Sequence, residues 1–174
     1  VGRDLYSPYD CAWLHVDAAA ALERFVAWLA ERRPGYTALI LDALRPQRVQ
    51  QQLWDALDGT GLQMYLANPA RGSIHSYGMA LDITILDEQG RELDMGTGFD
   101  DMTNLSHPAL EEGFLLSGEL TDAQVANRRL LRDGMLAAGF FGINTEWWHF
   151  VCGDRELVSA TSRCVLRSVE NIYS

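Results

Sequence analysis

Apolar positions along this chain switch repeatedly between two periods. Leu22, Phe25, Val26 and Leu29 recur at helical spacing, and one face of a helix collects residues three and four apart. Asp17 is placed to cap this helix and Pro34-Gly35 to stop it near Arg33. Thr37 to Ala43 (TALILDA) is a short apolar run that predicts a buried strand. Arg45-Pro46 turns the chain, and Pro46 suits the first position of a helix over Gln47 to Leu57, which Asp58-Gly59-Thr60-Gly61 breaks.

Residues Ala67 to Gly78 are rich in turn formers. Met79 to Leu86 (MALDITIL) predicts a second strand, and Asp87-Glu88-Gln89-Gly90 a hairpin loop. From Leu93 to Leu120 glycine and proline interrupt every pattern, which predicts a long irregular loop, and such loops inside a compact domain are usually functional. Thr121-Asp122-Ala123-Gln124 spells a capping box opening a helix to Ala138, closed by Gly139. Trp147 to Val151 predicts a last core strand. The sum is an α+β single domain over residues 1–174, a small, mostly antiparallel sheet with helices packed on it.

Composition narrows the chemistry. With 174 residues, 48% hydrophobic, the chain can bury a core without staples. Its net charge of -10 and the absence of any basic cluster larger than an Arg pair exclude a phosphate-backbone reader. All 14 basic residues are Arg, so no Schiff-base, phosphate-loop or Ser-Lys chemistry exists here. No run reaches the roughly eighteen apolar residues of a membrane span. Cys11, Cys152 and Cys164 form no CxxC pair, and so sparse and odd a count favours a reducing, cytoplasmic compartment. A leader removed before Val1 would instead place the protein in the periplasm. Nothing in the sequence fixes an oligomeric state.

Three stretches carry candidate chemistry. His75 sits in a Gly-flanked turn, and Asp82 follows seven positions on, inside an apolar strand. A buried, unpartnered Asp costs several kcal/mol or must stay protonated, so Asp82 demands a compensating group. Farther on stands Glu146-Trp147-Trp148-His149. If the turn folds back on the strand, His75, Asp82 and His149 supply two imidazoles and one carboxylate, which leaves one coordination position open on Zn²⁺, the arrangement of a catalytic site. Glu146, at the irregular entry of its strand, would approach the metal without ligating it. His15 and His107 read as structural or surface residues.

The pattern SxHxxGxxxD followed by ExWH resembles the zinc D,D-peptidases, which include D-Ala-D-Ala dipeptidases, D,D-carboxypeptidases and the Hedgehog signalling domain. LDALRPQR (Leu41 to Arg48), MGTGFDDM (Met95 to Met102), NRRLLR (Asn127 to Arg132) and EWWHF are similar to the VanX-type dipeptidase branch in particular. The resemblance runs from Val1 to Val151 and implies one Zn²⁺ per chain in a central cleft, held by His75, Asp82 and His149. It implies Glu146 as catalytic base and Arg45 as the group that stabilises the oxyanion. It implies Ser73 and Asp100 as holders of the substrate's ammonium, with Tyr9 a second aromatic at the substrate site. The implied reaction is hydrolysis of D-Ala-D-Ala, with the small dipeptide as substrate. A D,D-carboxypeptidase of cell-wall peptides and a non-catalytic zinc module are the alternatives. Relatives also carry an aromatic-bearing segment that would precede Val1, and residues 152–174 depart from the family ending as a divergent tail.

Overall fold

A computed structural model describes residues 4–8, 10–153 and 166–168. Four strands form an antiparallel sheet in the order β2-β3-β5-β4: β2 (Thr37–Asp42), β3 (Ala80–Leu86), β5 (His149–Cys152) and β4 (Phe140–Gly142). A separate ribbon pairs β1 (Trp13–His15) with β6 (Leu166–Ser168). The helices are α1 (Val16–Arg32), α2 (Gln47–Ala56), α3 (Glu111–Ser117) and α4 (Asp122–Ala138).

Side chains alternate across a strand, and this alternation separates core from chemistry. Leu81, Ile83 and Ile85 of β3 join Leu22, Phe25 and Leu29 of α1 in the core. Asp82 and Thr84 therefore point to the opposite face. In β5 the same rule puts Phe150 in the core and His149 on the face of Asp82. Helix α4 crosses α1 closely at Gly134, where a Cβ would stand 2.7 Å from the rings of Phe25 and Trp28.

The β2–β3 register contains one irregularity. Ile40 pairs with Ile83, but Asp42 rather than Leu41 pairs with Asp82. One extra residue inserted into a strand turns the following side chains to the other face. Without this bulge, Asp42 would follow Ala38 and Ile40 onto the core side. With it, Asp42, Asp82 and His149 stand in one row across three neighbouring strands.

The predicted helices and the strands at 37 and 80 are present with shifted ends. Helix α1 is capped by His15, whose Nδ1 accepts the Asp17 backbone N–H at 3.3 Å; Asp17 itself lies in the first turn. The strand expected from Trp147 begins at His149, so Trp147 and Trp148 lie in a bend before it. The segment expected to be irregular from 93 to 120 contains α3.

The NRRLLR stretch anchors that segment. Asn127 Nδ2 donates to the Asp94 carbonyl at 2.8 Å, and the buried Arg128 donates through Nε to the Met95 carbonyl at 2.6 Å. Arg132 forks onto both Glu111 oxygens, at 3.2 and 3.0 Å.

Candidate metal and substrate site

His75 is carried by a 3₁₀ turn (Ile74–Tyr77) that ends at Gly78, in the left-handed region at φ 66°. A Cβ on Gly78 would lie 2.7 Å from the His15 backbone nitrogen, so this tight approach requires glycine. The turn folds back on β3 through Met79 N–H to the Ile74 carbonyl at 3.2 Å. Two bonds tie His75 to the start of the LRPQ turn. The Arg45 backbone N–H donates to the His75 carbonyl at 3.2 Å, and His75 Nδ1 lies 2.9 Å from the Ala43 carbonyl.

That last contact fixes the tautomer. A carbonyl only accepts, so Nδ1 carries the proton and Nε2 presents a lone pair. His75 Nε2 faces His149 Nδ1 at 3.2 Å and Asp82 Oδ1 at 3.5 Å, while His149 Nδ1 is 2.8 Å from the same oxygen. The structure thus brings three donor atoms of His75, Asp82 and His149 within 4.8 Å of one another. Electron pairs converging this closely repel unless a proton or a cation lies between them. Two imidazoles and a carboxylate, all facing a cleft, fit a tetrahedral zinc-type ion with one open position. The carbonyl bond to His75 is the kind of outer contact that orients a ligating imidazole.

Charges around the row are arranged in series. Arg45 donates through Nε to Asp42 Oδ2 at 2.7 Å and lies 3.4 Å from Asp82 Oδ2. The two oxygens of Asp82 are therefore divided between the arginine and the imidazoles. Tyr6 donates its hydroxyl to Asp42 Oδ2 at 2.9 Å. Burial opposes ionisation of Asp82, but His75 and His149 outweigh it and hold the carboxyl well below the usual range. Burial likewise works against the charge of Arg45, and Asp42 and Asp82 more than offset it. Burial and the adjacent Asp42 push the Tyr6 phenol up.

Glu146 lies in the bend before β5, with Oε2 4.0 Å from His149 Nδ1. It is close to the donor cluster without belonging to it. Burial pushes its carboxyl up to about 7, with Asp82 and Asp100 adding to the rise and His149 opposing it. A cation in the cluster would pull that value down.

The cleft, about 190 Å³, is lined by Arg45, Ser73, His75, Asp82, Asp100, Glu146 and His149, with Tyr65, Met102, Ile143 and Trp148 among its apolar walls. Asp100 stands in the left-handed region at φ 61°. It stays solvent-accessible as a residue, yet protein crowding around its carboxyl, reinforced by Asp82, raises its pKa. Tyr9 lies outside the described residues, as does Cys164.

Sequence reasoning missed Asp42, Tyr6 and Gln50, whose Oε1 is 3.4 Å from Arg45. An Asp closing the apolar run TALILDA was the available signal. His15 serves as the α1 cap, and His107 packs edge-on near Tyr65, at 6.3 Å.

A family model described as D-ala-D-ala dipeptidase, of the M15 peptidases, matches residues 1–167. The chain belongs to this family. It is 38% identical over 149 residues to the D-alanyl-D-alanine dipeptidase of Escherichia coli K12, covering 86% of this chain and 70% of that protein. The Synechocystis protein of the same name is 32% identical, over 89% of this chain and 74% of its own length. That of Enterococcus faecium is 32% identical, over 69% and 64%. Membership makes the chain a metallopeptidase. Among the described residues no helix is long and apolar enough to cross a membrane.

Proposed function

We propose that this chain hydrolyses D-Ala-D-Ala to two D-alanines, with one Zn²⁺ held by His75, Asp82 and His149. The observation that carries the reading is the three-donor cluster with the Glu146 carboxylate at its edge, outside the donor set. A structural zinc site has no use for such a carboxylate; a hydrolytic one needs it. Bound zinc supplies a Lewis acid and lowers the pKa of a water towards ~7.

The protein's own groups complete the chemistry. Glu146 takes the proton of the attacking water and passes it to the leaving D-alanine nitrogen. Arg45, locked by Asp42 and Asp82, lines the cleft and offers its Nη1 end to the scissile carbonyl, where negative charge develops. Asp100 and Ser73 pair with the free ammonium of the dipeptide, and a desolvated ammonium requires such a charged partner. A longer peptide would leave Asp100 facing an uncharged amide, which disfavours it. The relatives' printed name, D-alanyl-D-alanine dipeptidase, supports this substrate.

Turnover of D-Ala-D-Ala compared with a pentapeptide ending in D-Ala-D-Ala tests the reading. The dipeptide should be preferred, and chelation should abolish activity until zinc is returned. Preference for the pentapeptide would identify a D,D-carboxypeptidase. Zinc binding without hydrolysis of either substrate would leave a non-catalytic module.

A further inference from the structure

Asp100 adopts a left-handed backbone conformation at φ 61°. For a residue with a Cβ this conformation is strained and persists only where the surroundings hold it. Two contacts tie the loop that carries it to the EWWH stretch. Trp147 donates its indole N–H to Thr97 Oγ1 at 2.8 Å, and the same oxygen lies 2.9 Å from the hydroxyl of the buried Ser106. One hydroxyl thus ties both ends of the 97–106 loop to the bend before β5. Phe99, next to Asp100, meets Trp148 edge-on at 5.7 Å and 80°. The two indoles are buried and perpendicular to each other at 5.3 Å, so they form a rigid base.

Both tryptophans stand between Glu146 and His149 in the chain. We infer that Trp147 and Trp148 are positioning residues that hold the Asp100 loop at a set distance from the metal cluster. One short stretch then supplies a metal ligand, the proton-transfer carboxylate and the ruler that fixes where the substrate's ammonium sits. The inference rests on the dipeptidase reading and deepens it. It makes the free-amine requirement depend on a hydrogen bond to Thr97, a residue outside the lining of the cleft.

The test uses zinc-loaded protein and steady-state kinetics on D-Ala-D-Ala for Thr97→Val, Thr97→Ser and Phe99→Ala. Valine keeps the shape of threonine but cannot accept from Trp147; serine can. Phe99 is half-exposed, so its truncation spares the fold. KM should rise roughly tenfold in Thr97→Val and Phe99→Ala, since small misplacements of a binding group carry such penalties. Thr97→Ser should stay near wild type. In both affected variants kcat should change by less than about threefold, the signature of lost binding rather than lost chemistry. A purely structural role predicts the reverse, a smaller active fraction with lower kcat and unchanged KM. KM at the wild-type value in Thr97→Val or Phe99→Ala overturns the inference. Absence of dipeptide turnover in the wild-type protein overturns the dipeptidase reading instead.

Discussion

Glu146→Gln should lower D-Ala-D-Ala turnover by about 10²- to 10⁴-fold, the usual worth of a positioned proton-transfer group. Glutamine preserves the size and polarity of the side chain but cannot take a proton. The cluster itself is untouched, because Glu146 Oε2 sits 4.0 Å from His149 Nδ1 and contributes no donor atom. Zinc content should therefore equal that of the wild type, which separates loss of chemistry from loss of metal. Turnover close to wild type in this variant would remove Glu146 from the reaction.

Asp82→Asn should release the metal and eliminate turnover together, read by metal analysis after dialysis and by the dipeptide assay. Asp82 is 2% exposed and is the member of the cluster that carries formal negative charge. An amide oxygen is a far poorer partner for a divalent cation than a carboxylate. The fold has reason to survive, since Arg45 keeps Asp42 at 2.7 Å when it loses Asp82. If Asp82 served only to pair Arg45, the variant would lose stability and keep stoichiometric zinc.

The site was more legible than the frame that builds it. Asp82 signals itself because a carboxylate in an apolar strand needs a partner, and His75, Glu146 and His149 stand out through the SxHxxGxxxD and ExWH patterns and the family resemblance they carry. Asp42 does not, because it lies in an apolar run that reads as a buried strand, and only the bulge after Ile40 turns it to the face of Asp82. Helix α4 was readable from its capping box, which forms with both reciprocal bonds. Helix α3 was not, since EEGFLLS is short and Gly113 weakens its helical signal. Strands β1, β4 and β6 have three residues each, too few to show a period. The pairing of β6 with β1 brings part of the C-terminal stretch back to the start of the chain, a long-range contact that no local pattern encodes. Thr97 reads as one loop residue among many, because its hydrogen-bond partner is a tryptophan fifty positions away.

The most direct measurement is a crystal structure of the zinc-loaded protein with anomalous data collected at the zinc edge. The account predicts one ion bonded to His75 Nε2, an Asp82 oxygen and His149 Nδ1 at about 2.0–2.2 Å, with the Glu146 carboxylate nearby and unbonded. An ion bound elsewhere, or one that recruits Glu146 as a ligand in place of any of those three, would contradict it.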